Sequence, residues 1–82
     1  MKVTVKLFAT LRKYGPIGLK IGEGFPVQLE DNSKVKTILK KLKIPEDQAK
    51  IIMVNGNIVN DISFSLKQND QISIFPPVGG GF

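Results

Sequence analysis

The sequence predicts an α+β fold, in which a mixed sheet of four to five strands packs against one main helix. Several short segments alternate apolar and polar residues, which is the pattern of a half-buried strand. One longer segment has apolar residues at helical spacing, and clusters of Gly, Pro, Asn and Asp separate the segments. Because a helix with a single apolar stripe can cover only one face of a sheet, we expect two layers.

Composition limits the kinds of function that the chain can have. With 82 residues, 41% of them hydrophobic, it has the size of one small domain. It contains no cysteine and no histidine, which excludes disulfides, thiolate metal sites, cysteine nucleophiles and histidine bases. We therefore expect a protein that is not an enzyme and that has no metal site.

Charge and hydropathy argue against nucleic acid and membranes as partners. The formal net charge of +5 permits nucleic-acid binding, but the basic residues are not interleaved with aromatic residues and match no known module. The longest apolar runs are shorter than the roughly 20 residues of a membrane span, and Met1-Lys2-Val3 begins a strand, not a signal peptide. We expect a cytoplasmic protein that binds neither nucleic acid nor membrane.

The first third of the chain contains two predicted strands. Residues 2–8 alternate apolar and polar side chains, and a short helical segment over 9–14 and a glycine-rich loop over 15–24 follow. A second alternation over residues 25–29 predicts the next strand. Pro26 favours an edge position or a strand start, since proline donates no hydrogen bond to the ladder.

The main helix is predicted by apolar residues at positions i, i+3, i+4 and i+7, with Ser33 as its N-cap. These residues are Val35, Ile38, Leu39 and Leu42. Lysines fill the remaining circumference, at positions 34, 36, 40, 41 and 43. We interpret them as the solvated face, although Lys34 and Lys36 lie at the end where the helix dipole disfavours cations, so a further role for these two stays open.

The second half predicts a hairpin and a final strand. Residues 51–59 contain two apolar runs separated by Asn55-Gly56, the typical sequence of a tight hairpin turn. Asn69 can adopt the left-handed conformation in the turn before the last strand, residues 71–75. This order of elements is typical of the β-grasp arrangement, in which the first and last strands are parallel neighbours, and we assign residues 1–75 to such a domain.

Residues 76–82, Pro-Pro-Val-Gly-Gly-Gly-Phe, predict a flexible C-terminal tail. Glycine loses more conformational freedom on ordering than any other residue, so a run of three favours a function that needs bare backbone. The two prolines stiffen the exit from the sheet and project the glycines outward. A mobile terminus without a function is the alternative.

Three blocks carry a resemblance to a known family: Leu7-Phe8-Ala9-Thr10-Leu11-Arg12, Val54-Asn55-Gly56, and Leu66 to Asp70 followed by Ile74-Phe75-Pro76-Pro77-Val78-Gly79-Gly80-Gly81. Together they resemble the MoaD/ThiS family of ubiquitin-like sulfur carriers. The last block resembles MoaD, the small subunit of molybdopterin synthase. The Phe-Pro-Pro-Val-x-Gly-Gly ending is specific, whereas Gly-Gly alone would be weak.

The resemblance implies a carrier protein whose C-terminal glycine carboxylate is adenylated by an E1-like enzyme and converted to a thiocarboxylate. The adenylating enzyme would use ATP, and the carrier itself would bind no cofactor stably. The sulfur would pass to a substrate held by a synthase large subunit or another acceptor. Gly81 is then the expected functional terminus, exposed when a processing protease removes Phe82, and Gly80 is the alternative terminus.

The tail and the residue before it are the predicted partner-binding residues: Phe75, Pro76, Pro77, Val78, Gly79, Gly80 and Gly81. Phe75 falls on the sheet face opposite Ile72 and Ile74, where we expect an exposed aromatic docking residue. Leu7, Phe8 and Phe64 are predicted to pack in the core or on the sheet. Two other functions stay open: a β-grasp interaction module that is not activated and keeps Phe82 as an anchor, and a ubiquitin-like protein modifier.

Overall fold

The computed structural model describes residues 1–77. It has five strands, β1 Lys2–Leu7, β2 Gly24–Gln28, β3 Ile51–Val54, β4 Asn57–Val59 and β5 Gln71–Phe75. Between them lie one α-helix, α1 Val35–Leu42, and two 3-10 helices, Ala9–Tyr14 and Glu46–Gln48. Over these residues no helix is long and apolar enough to cross a membrane.

The sheet has the order β2-β1-β5-β3-β4, with β1 and β5 parallel and the other neighbours antiparallel. This confirms the predicted β-grasp arrangement. Lys2 and Gln28 are paired at one end of the sheet, while Leu7 and Ile74 are paired at the other. We call these the Lys2 end and the Phe75 end. Because β5 lies between β1 and β3, the chain leaves the Phe75 end from an interior strand.

The core lies between α1 and one face of the sheet. The helix contributes Val35, Ile38 and Leu39, whereas Leu42 is only half-buried. The sheet contributes every second residue along four of its strands, on the face that points toward α1. These residues are Val3, Val5, Leu7, Phe25, Val27, Ile52, Val54, Ile72 and Ile74. Each fully buried aliphatic side chain favours folding by about 1.5–3 kcal/mol before the entropy cost is counted. For α1 and for β1, β2 and β5, the periodicity in the sequence therefore identified the inward face correctly.

The prediction of Ser33 as the helix N-cap is wrong. The N-cap is Lys34, and Ser33 is buried with its hydroxyl donating to the Glu30 carbonyl at 2.6 Å. Thr37 provides the capping contact instead, because its Oγ1 accepts from the Lys34 N–H at 3.0 Å while its own N–H donates to the Lys34 carbonyl at 2.9 Å. The Ser33 hydroxyl is engaged in the turn that precedes the helix and does not cap α1, so the N-cap lies one residue later than predicted.

The edge strand β2 is protected against pairing with another chain. Pro26 lies within it, as its sequence predicted for an edge strand, and supplies no N–H. The Lys41 Nζ donates to the Gln28 carbonyl at 2.5 Å, which ties the helix to this edge. Lys36, Lys40 and Lys41 are exposed on α1, in keeping with a solvated lysine face.

Side-chain hydrogen bonds fasten the Lys2 end. Asn55 (φ 52°) and Gly56 (φ 85°) form the two-residue turn between β3 and β4, and Asn69 has φ 71°, as predicted. Asp70 is only 8% exposed, and its carboxylate accepts from the Asn55 amide and the Lys67 N–H, both at 2.8 Å. This carboxylate joins the hairpin turn to the turn before β5.

Candidate functional site

The candidate site is the Phe75 end, where the chain leaves β5. Phe75 is the last residue of the strand, Pro76 is buried and Pro77 is half-buried. Proline fixes its own φ, so the backbone direction is constrained at the two positions that follow the strand. The predicted site residues Val78, Gly79, Gly80 and Gly81, and the processing residue Phe82, lie outside the described residues.

The backbone just before the tail is held from both sides. The Phe8 N–H donates to the Ile74 carbonyl at 3.2 Å, and the Lys50 N–H donates to the Phe75 carbonyl at 2.9 Å. Ile51 is the register partner of Phe75 on β3. A force applied to the tail would therefore act on β5, which is hydrogen-bonded to a neighbouring strand on each side and is not an edge strand.

The side chain of Phe75 lies on the predicted face but is not exposed as expected. It is half-buried and stacks on Phe8, with ring centroids 4.3 Å apart and an interplanar angle of 12°. The cause is the parallel register, which places Leu7 beside Ile74 and so brings the next two residues together. A stacked aromatic pair adds about 0.5–1.5 kcal/mol beyond its buried area. Phe75 is thus a structural residue as well as a candidate contact.

The sheet face that points away from α1 carries a wider apolar surface than the sequence analysis identified. Besides Phe8 and Phe75 it includes Ile51 and Met53, which are half-buried on β3, and Ile58, which is 65% exposed on β4. We call these five residues the outer patch. The signal for Ile51 and Met53 was present, because they alternate with the buried residues of β3. An apolar surface of this kind beside the chain exit is typical of a protein-binding site.

Two other aromatic and aliphatic predictions have different outcomes. Leu7 is fully buried, as expected for a core residue. Phe64 is 44% exposed, so its assignment to the core or the sheet is wrong. Its carbonyl accepts from the Val35 N–H at the start of α1, which fixes the backbone there and leaves the ring at the surface.

Two surface grooves lie at different distances from the point where the chain leaves β5. The larger, of about 720 Å³, lies between the end of β2 and the start of α1 and is lined by Glu30, Asp31 and Lys41 among others. The smaller, of about 230 Å³, is lined by Ile51 and Ile58 of the outer patch and by neighbouring residues. Within residues 1–77, no group of three or more Asp, Glu, His or Cys side chains could hold a metal ion. The described part of the site therefore provides an apolar surface for docking and a fixed point at which the chain leaves the sheet.

Comparison with known proteins gives one family and several solved structures. The model of the ThiS family matches residues 5–81. Subunit 1 of the molybdopterin-converting factor from Helicobacter pylori, solved in complex with subunit 2, is 30% identical over 99% of this chain and 100% of that chain, with a TM-score of 0.56. Small archaeal modifier protein 1 from Methanosarcina acetivorans is 31% identical over 98% and 96%, with a TM-score of 0.64.

A third solved structure is similar in fold and sequence. The HVO 2177 protein from Haloferax volcanii is 26% identical over 99% of this chain and 87% of its own, with a TM-score of 0.74. No significant match is found among curated protein sequences.

Proposed function

Because the chain belongs to the ThiS family, we propose that it is a sulfur carrier whose terminal glycine is adenylated and then converted to a thiocarboxylate. The observation that supports this most directly is the extent of the family match, which runs through the tail to residue 81. The fold supports it as well, since β5 is an interior strand that leads straight into the glycine tail. The domain would present the carboxylate, and the partner proteins would supply the catalytic groups.

The proposed chemistry requires two steps at the C-terminal carboxylate. A carboxylate is a poor electrophile, so one of its oxygens first attacks the α-phosphorus of ATP and pyrophosphate leaves, which gives an acyl-adenylate. A persulfide sulfur of the donor then attacks the acyl carbon, and AMP leaves with the bonding electron pair. A thiol, which is the reductant, cleaves the S–S bond of the resulting acyl disulfide, which leaves a thiocarboxylate on the carrier and a disulfide between the thiol and the donor. Glycines have no Cβ atoms, so such a tail fits a narrow channel that leads to the nucleotide.

Gly81 is the proposed terminus for this chemistry. Phe82 follows it in the sequence, so the Gly81 carboxylate forms only when a protease hydrolyses the peptide bond between them. Cleavage after Gly80 is the alternative. We therefore include a processing protease among the partners, beside the adenylating enzyme.

The outer patch supports a docking role next to the tail. Phe75 and Phe8 stack at the exit, and Ile58 leaves most of its side chain in solvent. In our proposal this surface binds the partner that takes up the tail, which is either the adenylating enzyme or a sulfur acceptor such as a synthase large subunit. The Helicobacter pylori structure, a complex of subunits 1 and 2, makes the latter a specific candidate.

A second candidate function is that of a protein modifier. The modifier protein from Methanosarcina acetivorans, at 31% identity, favours it. The same activated glycine would then be attacked by a lysine amine of a target, with an isopeptide bond as product. Both functions need the same free Gly81 carboxylate and the same adenylation step.

The test compares three chains with the cognate adenylating enzyme, ATP and a sulfur donor: residues 1–81, residues 1–82, and residues 1–81 with Gly81→Pro as the matched control. We expect only residues 1–81 to release pyrophosphate and to increase in mass by the difference between one sulfur and one oxygen atom. A lysine-linked product in cell extract would instead support the modifier.

Two results would contradict the proposal. Adenylation of the chain that retains Phe82 would overturn the need for processing. Failure of residues 1–81 and also of residues 1–80, the alternative terminus, to be adenylated would overturn the carrier itself and favour an interaction module that is not activated.

A further inference from the structure

The loop between the first 3-10 helix and β2 consists of two successive β-turns. In the first, the Leu19 N–H donates to the Pro16 carbonyl at 3.3 Å. In the second, the Glu23 N–H donates to the Lys20 carbonyl at 3.1 Å. The third residue of each turn is a glycine with positive φ, which is the requirement of a type II turn. We call residues 16–23 the double-turn loop.

Each turn places an isoleucine at its outermost corner. Ile17 and Ile21 occupy the second position of the first and second turn, and Ile17 is fully exposed while Ile21 is 81% exposed. That position accepts most residue types, so the turn geometry does not require an apolar side chain there. Single apolar residues at a surface are ordinary, but here two large ones are exposed at the same position of successive turns in one short loop.

The double-turn loop is anchored to the domain. Leu19, between the two isoleucines, is half-buried and packs against the core. A Cβ atom at Gly15 would lie 2.9 Å from Leu19 Cδ2 and 3.2 Å from Phe25 Cε1, so the leucine sits tightly against the glycine and the sheet. The Glu23 carboxylate accepts from the Lys20 N–H at 2.9 Å and closes the second turn. The isoleucines are therefore presented by a folded support.

The loop lies at the same end of the sheet as the tail. Gly24, which follows it, pairs with Lys6, and Leu7 pairs with Ile74 just before Phe75. The strand spacing of about 4.8 Å separates β2 from β5 by about 10 Å. A protein that draws in the tail would therefore approach the double-turn loop on the far side of β1.

The charge around the loop indicates what kind of surface it fits. Arg12, Lys13 and Lys20 are basic, and Glu23 is the only acidic residue between positions 9 and 24. The Glu23 carboxylate is already engaged with the backbone of Lys20. Two exposed apolar side chains in a segment with a basic charge balance complement an apolar depression with an acidic rim.

We propose that the double-turn loop is a second docking surface for the enzyme that adenylates the tail, with Ile17 and Ile21 entering an apolar depression on that enzyme. This inference rests on the proposed function. A glycine tail offers little side-chain area for recognition, so most of the binding free energy must come from the domain. Adenylation is the first step at the carboxylate, and the carrier has to be selected before that step.

The test measures pyrophosphate release by the adenylating enzyme with chains that end at Gly81. For the double variant Ile17→Ser/Ile21→Ser we expect a KM about 10- to 100-fold above the unmodified chain, from the lost apolar burial. The kcat should stay within about twofold, since the reacting tail is unchanged. Melting temperature should not change, because both side chains are exposed.

Two further chains serve as controls. Phe64→Ser removes an exposed apolar side chain near the start of α1, and its KM should equal that of the unmodified chain. Ile17→Leu/Ile21→Leu keeps the apolar surface and should retain a KM close to the unmodified value. A lowered melting temperature in the serine variant, together with a raised KM in the leucine variant, would show a purely structural loop and overturn the proposal.

The other outcomes separate this inference from the proposed function. If the unmodified chain is adenylated and the serine variant has the same KM, the docking surface alone is overturned. If the unmodified chain is not adenylated whether it ends at Gly81 or at Gly80, the proposed function is overturned, and the docking surface is overturned with it. Binding to phosphatidylglycerol vesicles, or self-association, that is lost in the serine variant while KM is unchanged would assign the loop to a membrane or to a second copy and overturn the proposal.

Discussion

The Lys2 end and the Phe75 end of the sheet are held by different kinds of interaction. At the Lys2 end, hydrogen bonds of polar side chains join the turns. The buried Asp70 carboxylate accepts two hydrogen bonds, and the Asn55 side chain also accepts from the Gln71 N–H at 2.9 Å. At the Phe75 end, the contacts are backbone hydrogen bonds and the stacking of Phe75 on Phe8. The difference suggests that the Lys2 end fixes strand register, whereas the Phe75 end keeps apolar surface available for partners.

Of the two ends, the Lys2 end should lose more stability when a side chain that fastens it is removed. Asp70→Ala removes the acceptor for the Asn55 amide and the Lys67 N–H, so we expect a loss of about 3 kcal/mol in the free energy of unfolding, since hydrogen bonds to a charged group contribute about 1.5–3 kcal/mol. Urea denaturation measures this loss. The KM for adenylation should not change while the variant is folded, because the Phe75 end is intact.

A matched variant at an exposed acid sharpens this prediction. Asp61 also accepts a backbone hydrogen bond, from the Ser63 N–H at 2.8 Å, but it is exposed. Asp61→Ala should cost less than about 1 kcal/mol, because water replaces the lost partner. Equal losses for the two variants would show that burial of Asp70 is not what makes the Lys2 end rigid.

The Phe75 end should respond less in stability and more in partner binding. Phe75→Ala removes a half-buried, stacked ring, so we expect a loss of about 2 kcal/mol from area and stacking together. A double-mutant cycle with Phe8→Ala should give a coupling free energy of about 1 kcal/mol for the aromatic pair. The KM for adenylation should rise in Phe75→Ala even at temperatures where the variant is fully folded.

Two results would count against this account of the aromatic pair. An unchanged melting temperature for Phe75→Ala would mean that the ring is a pure docking residue, as its position in the sequence alone suggested. A coupling free energy near zero would mean that Phe8 and Phe75 contribute independently, so that stacking is not what supports the strand end.

The sequence predicted more of the sheet than of its surfaces. Alternation identified the inward faces of β1, β2 and β5 correctly, since one face must be buried and the period is two. It could not give the exposure of Phe75, because that depends on Phe8, which only the parallel pairing of the first and last strands brings close.

Local competition between hydrogen-bond partners limited the prediction in the same way. Ser33 and Thr37 both had suitable hydroxyls for the start of α1, and the preceding turn decided which one was free. In the double-turn loop, the glycines predicted a loop, but only the packing of Leu19 on the core shows which side chains remain outside. The backbone pattern was therefore readable from local sequence, whereas the exposure of each side chain depended on tertiary contacts.

The smallest effect on stability is expected in the outer patch. Ile58 is 65% exposed on an edge strand, so Ile58→Ser should change the free energy of unfolding by less than about 0.5 kcal/mol. The neighbouring Ile52 on β3 is buried, and Ile52→Ser should cost more than about 3 kcal/mol through the cavity and the buried hydroxyl.

If the outer patch serves docking, Ile58→Ser should raise the KM for adenylation, or weaken binding to the sulfur acceptor, without any change in melting temperature. Ile58→Leu should keep the value of the unmodified chain. A variant with unchanged stability and unchanged binding to both partners would remove Ile58 from the docking surface and confine that surface to the residues next to Phe75.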